Sequence, residues 1–326
     1  MNATTLVNTT EYIIQRKPGY IINSTTVFAV LLSLGIIAGN GMVIGACCHF
    51  FKQNSSTINI ILALSIADFA TGVGMVINVF MRVHGDILSQ KFPCILSFEM
   101  FFTMALISMN LLACTTFDRF LSICKYEKHK EWNTQKSVNI QICCSYICGF
   151  AIGFLPFLGL NRWESGMKCA FKDIYTSELY VIKSSAMFVG FGVSFVLYVF
   201  ILRKAWRVHN GRHIEVLHTA AMRQRNNFIL AKLVGIITIL NSICWMPYSF
   251  ITLLFGITNQ AIGVTYLEFA FLLLGFANSF INPVVYAWNR PDFRAVWRKW
   301  CHCCTVFDNS NTVMPAVIFV RSAPTT

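Results

Sequence analysis

Apolar residues in this chain come in long blocks separated by short polar joints. The blocks lie at about 26–50, 58–81, 92–124, 137–158, 177–206, 224–256 and 265–288. A helix needs roughly 20 predominantly apolar residues to cross a hydrocarbon core about 30 Å thick, and each block has that length. Backbone groups inside a bilayer find no water, so a spanning segment is a helix or part of a closed barrel. Apolar runs this long predict helices. The pattern therefore predicts an all-α membrane protein with a seven-helix transmembrane domain over residues 26–288. Beyond it, Phe293, Val296, Trp297 and Trp300 fall at i, i+3, i+4 and i+7, one apolar stripe behind a Pro291 suited to a first helical turn. With Arg294, Arg298 and Lys299 free to face headgroups, residues 289–304 read as an amphipathic helix on the membrane surface. A short segment, 305–326, follows with no assigned role.

Composition agrees. Hydrophobic residues make up 56% of the 326, but the charged fraction of 12% is the sharper signal, about half that of a soluble protein, whose core still needs a polar skin. The net charge of +12 raises nucleic-acid binding as a reading. It is set aside because the positive charge sits beside the hydrophobic blocks and not on a separate domain.

Those charges orient the chain. The even-numbered connections are short and mixed in sign, with Arg82, Asp86 and Lys91, then Arg162, Glu164, Lys168, Lys172 and Asp173. The odd-numbered ones and the tail are basic, including Lys125, Lys128, Lys130, Arg203, Lys204, Arg207, Arg290 and Arg294. Basic loops stay in the cytoplasm, which puts the N-terminus outside. Residues 1–25 show no signal peptide, so the first span is expected to direct insertion. Glycosylation sequons at Asn2, Asn8 and Asn23 agree with an outer terminus, while the one at Asn54 falls in an inner loop and is discounted. Most of the 13 cysteines lie within apolar blocks as small hydrophobes, and none has zinc spacing. Cys94 and Cys169 stand at outer ends, where an oxidising compartment permits a disulfide; two free thiols are the alternative. Cys301, Cys303 and Cys304 close the amphipathic helix, well placed for palmitoylation.

Polar residues inside the blocks are expensive and mark function by default. Asp68 is the one acid near mid-membrane, and Asn40, Ser108, Asn278, Ser279 and Asn282 could partner it. These oxygens suit a small hard cation such as Na⁺, and equally a dry structural network. Pro247 and Pro283 sit inside helical blocks, where each removes a backbone bond. Bent helices can rearrange between two packings, though static kinks are the alternative.

Together these positions resemble the rhodopsin-like (class A) G-protein-coupled receptors over residues 26–304. The motifs are Gly39-Asn40, Leu64-Ser65-Ile66-Ala67-Asp68, Asp118-Arg119-Phe120, Cys244-Trp245-Met246-Pro247 and Asn282-Pro283-Val284-Val285-Tyr286, in that order. The resemblance implies roles. Arg119 would be the cytoplasmic switch, Asp118 its resting partner, and Trp245 the pivot beneath a ligand pocket. Tyr198 and Tyr286 would swing inward. Asn40, Asp68, Ser108, Asn278 and Asn282 match the family's sodium pocket, making an allosteric Na⁺ the sole cofactor candidate. Cys94–Cys169 matches the family disulfide. Implied partners are a heterotrimeric G protein, an extracellular small molecule and membrane lipids, with no nucleic acid.

Residues 150–161 and Cys169-Ala170-Phe171-Lys172-Asp173 look most like adenosine receptors, with Phe171 placed to stack on a flat heterocycle. The rest of that pocket departs. Where adenosine receptors hold an adenine-binding Asn, a Glu, two His, a Ser and a Thr, this chain has Thr252, Lys172, Ser249, Phe276, Gly275 and Ala105. Missing hydrogen bonds to a polar ligand cost on the order of 10⁴-fold in discrimination, so the frame carries over and the ligand does not. Retinal needs a Lys where Phe276 stands, and a monoamine an Asp where Phe101 stands. The remaining pocket, Phe101, Phe102, Ala105, Phe171, Trp245, Tyr248, Ser249, Thr252 and Phe276, is aromatic and rather apolar. Glu99 and Glu268 near its rim could meet a cation, but burial statistics favour reading them as solvated surface acids.

No HExxH, GxSxG, P-loop or paired in-membrane carboxylates appear, which speaks against an enzyme. A transporter or channel would show repeats or several polar groups along a path. Within the receptor reading, an orphan receptor for a lipid or other non-purine ligand stands beside the adenosine-like one. So does a constitutively active receptor, because Asn227 replaces the acid that many relatives pair with the switch arginine. Glu127 occupies the second inner loop where relatives place an apolar residue against the G protein. Glu127→Leu is therefore expected to raise G-protein activation in cells, and an unchanged response at equal surface expression would sink that role.

Overall fold

The computed structural model describes residues 24–49, 56–132, 134–210, 218–258 and 265–300. The sequons at Asn2, Asn8 and Asn23, the cysteines 301, 303 and 304, and the segment 305–326 lie outside them. The described backbone is helical apart from turns and one isolated bridge between Asn161 and Tyr175. The helices are α1 (Ser24–His49), α2 (Ser56–Val83), α3 (Lys91–Cys124), α4 (Tyr126–Trp132), α5 (Gln135–Gly153), α6 (Phe171–Ile174), α7 (Ser177–Asn210), α8 (His218–Thr258), α9 (Thr265–Asn289) and α10 (Pro291–Trp300).

Six of them are long and apolar enough to span a bilayer: α1, α2, α3, α7, α8 and α9. The seventh, α5, is shorter, and Lys136, Asn139 and Gln141 make its first turns polar. Thr134 caps it, its side chain accepting from Ser137 N at 3.2 Å. It was expected to run to residue 158 but ends at Gly153. Pro156 cannot donate a helical backbone bond, and residues 154–159 turn instead, closing on Gly159 at φ 115°.

Helix α3 is the central post. It packs on α2, α5, α7 and α8, while α9 closes the ring against α1 and α8. The outward faces are apolar: Leu31, Ile66, Ile147, Val189, Phe195, Ile243 and Phe250 are all exposed. Apolar belts on the outer faces of the helices around α3 are what a hydrocarbon solvent requires. The inside holds polar groups instead, among them Asn40, Asp68, Thr116, Arg119, Asn241 and Asn282.

Without a hydrophobic drive between helices in lipid, close approach comes from small residues. Gly149 and Gly153, one turn apart on α5, lie directly against Ile107 and Thr103 of α3. A Cβ at Gly153 would sit 1.9 Å from Thr103 Oγ1, and one at Gly149 2.3 Å from Ile107 Cγ1. Nearby, Tyr146 donates to Ala63 O of α2 at 3.1 Å. Helix α10 is amphipathic, and its apolar stripe rests on protein: Phe293 and Val296 are buried, and Phe293 stacks on Tyr286 at 5.8 Å.

Gly153→Leu is expected to destabilise the bundle by more than the roughly 1–3 kcal/mol typical of overpacking, because the clash falls on the central helix. Ile147→Leu, on the outer face of the same helix, serves as control. Equal thermal unfolding temperatures for the two in detergent would refute the contact.

Candidate functional site

Three buried clusters lie along α3, between its Cys94 end and its Arg119 end. Cys94 is bonded to Cys169, which ties the 160–176 segment onto the start of α3. That segment carries Tyr175 inward, where it is 2% exposed and packs edge-on to Phe98 at 6.3 Å.

The first cluster is aromatic. Phe101 and Phe102 of α3 meet Phe276 of α9 at 5.2 and 6.2 Å between ring centroids. Tyr248 of α8 stacks on Phe102 at 5.9 Å, and Trp245 stands edge-on to both Phe276 and Tyr248. All five rings are buried, as is Ala105. Gly275 lets Trp245 approach α9: a Cβ there would lie 2.7 Å from the indole. Thr252 donates to Tyr248 O at 2.9 Å and meets the Ser184 hydroxyl at 2.8 Å. Ser249 Oγ lies within hydrogen-bond distance of Trp245 O and Met187 Sδ. Both hydroxyls are thus engaged by their own helix. The backbone of Phe171 opens α6, but its side chain, like those of Asn227 and Glu268, lies outside the described residues.

Glu99 is not the solvated rim acid that sequence suggested. It is 3% exposed, and its Oε1 accepts from Lys183 Nζ of α7 and from Tyr175 OH, both at 2.5 Å. Lys183 also stands over the rings of Tyr175 and Phe102, at 4.5 and 5.4 Å. Burial and the adjoining carboxylate push the Tyr175 phenol well above its ordinary range, so it keeps its proton and donates. Glu99 Oε2 is buried with no hydrogen-bond partner among the described residues. Sequence reasoning missed Lys183. The signal was there: one cation within Leu179-Tyr180-Val181-Ile182-Lys183-Ser184-Ser185-Ala186-Met187 needs an anion nearby. Removing one partner of such a pair leaves a buried charge, at a cost of about 3–5 kcal/mol.

The second cluster surrounds Asp68, which is fully buried. Ser108 and Ser279 donate to its Oδ1 at 2.8 and 2.7 Å, and Asn282 Nδ2 to its Oδ2 at 2.8 Å. Three helices, α3, α9 and α2 itself, therefore meet on one carboxylate. Asn40 joins indirectly, its Nδ2 donating to Ser279 O at 2.9 Å and Ile36 O at 3.0 Å. Asn278 is buried in α9. The side-chain oxygens of Asn40, Asn278 and Asn282 are buried without partners among the described residues, as is that of Asn241, one turn before Trp245. Pro247 and Pro283 lie inside continuous helices. Gly39 makes room for the latter, since a Cβ there would come within 3.1 Å of the Pro283 ring.

The third cluster is at the Arg119 end. Arg119 pairs with Asp118 and donates to Thr57 Oγ1 of α2 at 2.8 Å. Asp118 Oδ1 also lies 3.1 Å from His129 Nε2 on α4. Thr57 and His129 were not anticipated, because neither position carries meaning until the chain folds. A small cavity beside Arg119 is lined by Thr57, Ile61, Leu112, Val234, Ile237 and Tyr286. Tyr198 of α7 is half-buried, its ring lying against Gly235 of α8.

The chain resembles known receptors over most of its length. Residues 39–286 match the family model described as 7 transmembrane receptor (rhodopsin family). Among similar proteins, G-protein coupled receptor 6 of Rattus norvegicus is 23% identical over 292 residues, covering 87% of this chain and 78% of the relative. Adenosine receptor A3 of Ovis aries is 24% identical over 303 residues, 88% of this chain and 92% of the relative. Lysophosphatidic acid receptor 3 of Homo sapiens is 25% identical over 303 residues, 89% and 82% of the two chains. A family model spanning most of the chain, on an all-helical bundle with a buried Asp118–Arg119 pair, settles the class: this multi-pass membrane protein belongs to the rhodopsin family of seven-transmembrane receptors, and it is a receptor rather than an enzyme.

Proposed function

We propose that the chain transmits an extracellular small-molecule signal to a heterotrimeric G protein, with its N-terminus outside. The observation that carries this reading is the buried Asp118–Arg119 pair, bridged to α2 by Thr57 and to α4 by His129. A charged pair in a nearly dry setting at the end of a 34-residue helix has a structural cost that a switch explains. It is held by single contacts from two neighbours, so a modest displacement of α2 or α4 frees the guanidinium for another partner. The basic connections support the same end as the cytoplasmic one.

The ligand would enter between the aromatic residues at the Cys94 end. Trp245 stands edge-on to that cluster, and motion there reaches the Asp68 layer through α9, which carries Phe276, Asn278, Ser279 and Asn282 within about two turns. Two ligand readings stand: a purine nucleoside, supported by the adenosine-receptor likeness and the stacking place at Phe171, and a lipid or other non-purine molecule. The geometry favours the second. Thr252 and Ser249, standing where adenosine receptors hold a nucleoside through Asn and His, have their hydroxyls within reach of their own backbone.

Residues around Asp68 fit an allosteric Na⁺. The carboxylate with the unpartnered amide oxygens of Asn40, Asn278 and Asn282 is a set of hard oxygen donors. Bound there, the ion would supply positive charge to a buried anion and hold α1, α2, α3 and α9 together.

Reconstituted in vesicles with a heterotrimeric G protein, the receptor is expected to accelerate GTPγS uptake without ligand. Arg119→Ala should lose that acceleration. Uptake no faster than in empty vesicles, alone and across a panel of adenosine, related nucleosides and lysophospholipids, would overturn the proposal. For the ion, linkage predicts that NaCl raises the unfolding temperature above that in choline chloride at equal ionic strength. Asp68→Asn should abolish the difference, and a difference that survives the substitution would rule out this site.

A further inference from the structure

The Glu99–Lys183–Tyr175 group has a chemical imbalance. Lys183 carries three protons and finds Glu99 Oε1, the Tyr175 oxygen at 3.4 Å, and the faces of Tyr175 and Phe102. Tyr175 donates to the same Oε1. Both donors thus crowd one carboxylate oxygen, and Oε2 is left buried with none among the described residues. An unsatisfied acceptor of this kind is costly, more so on a charged group. The unmet demand is for a donor, and it adjoins the aromatic cluster: Glu99 and Phe102 are three residues apart on one face of α3, and Lys183 stands over the Phe102 ring.

We propose that Glu99 Oε2 is the polar anchor of the ligand pocket, taking an N–H or O–H donor on a flat, otherwise apolar ligand whose ring packs among Phe101, Phe102, Tyr248 and Phe276. The inference rests on the reading of that cluster as the ligand site. A neutral donor fits better than a cation, because Lys183 already balances the carboxylate and a second buried positive charge would be uncompensated. Lys183 and Tyr175 act as positioning residues. They hold the carboxylate by Oε1, which fixes the direction of Oε2, and they tie the anchor to α7 and to the disulfide-bound loop. A ligand bound at Oε2 would thereby bias contacts to α3, α7 and the Trp245 ring set together.

The test uses indole and 1-methylindole, which share a ring system and differ in the donor. Binding of each to the full-length receptor in lipid nanodiscs is followed through the concentration dependence of thermal unfolding. The wild type is expected to prefer indole by about tenfold, the worth of one hydrogen bond to a charged acceptor. Glu99→Met combined with Lys183→Met removes both charges at similar volume, and should bring the preference to near unity while 1-methylindole still binds. Glu99→Gln, which keeps the shape but weakens the acceptor, should reduce the preference at least threefold and serves if the double variant does not fold. Equal affinities in the wild type, whether because a water already fills Oε2 or because the ring does not enter, would overturn the anchor. So would a preference unchanged in the variants. The GTPγS measurement is independent: exchange without an indole preference removes the anchor and leaves the receptor reading intact, and an indole preference without exchange does the reverse.

Discussion

Asp68 is a carboxylate buried away from solvent, and the middle of the bundle is arranged around that fact. Its oxygens collect Ser108 from α3 and Ser279 and Asn282 from α9, and Asn40 of α1 fastens onto the backbone of the same α9 turn. Separately, each of these groups would be a liability in an apolar setting; together they fix the register of four helices. The network is also incomplete. Amide oxygens from α1, α8 and α9 remain unpartnered among the described residues, so the layer has unspent capacity for an ion or water.

Packing elsewhere depends on the absence of side chains. Gly149 and Gly153 bring α5 onto the post, Gly275 admits the Trp245 ring, and Gly235 admits Tyr198. Gly190 abuts Met109 of α3. These contacts set a side chain against a smooth helix face, an arrangement that tolerates sliding better than interlocked ridges do.

Much of the fold was legible in the sequence because a bilayer imposes a simple code of length and polarity. Blocks of apolar residues marked most spans within a few residues; α8 starts six residues before its block, and α5, with polar first turns and a proline turn at its far end, stops five residues short. Three of the expected Asp68 partners, Ser108, Ser279 and Asn282, were also legible, because an in-membrane acid needs donors and few are to be had; Asn40 bonds the α9 backbone instead. Depth and partnership were not. Glu99 looked like a rim acid because spacing along one helix cannot say what α7 brings opposite it. Lys183, 84 residues away in sequence, makes it an interior group. Thr57 and His129 were invisible for the same reason, as ordinary polar residues given meaning only by proximity to Arg119. The resemblance to adenosine receptors supplied the frame, and the structure shows what became of its hydroxyl-bearing positions, which are turned to their own backbone.

The disulfide at Cys94 has a mechanical consequence. Cys169 is fixed to the start of α3, and the chain reaches α7 only eight residues later, at Ser177, with Tyr175 pinned between them. That end of α3 and of α7 is leashed twice, covalently and by the Glu99 group. The opposite ends of the same helices, 34 residues long in each case, meet through weaker contacts, Cys124 Sγ with Phe200 O at 3.7 Å and the Phe120 and Phe200 rings at 6.0 Å. Two rods tied firmly at one end and loosely at the other behave as a pair of tongs: a small adjustment near the tie, of the size that repacking one ring produces, opens into a larger excursion at the loosely held tips.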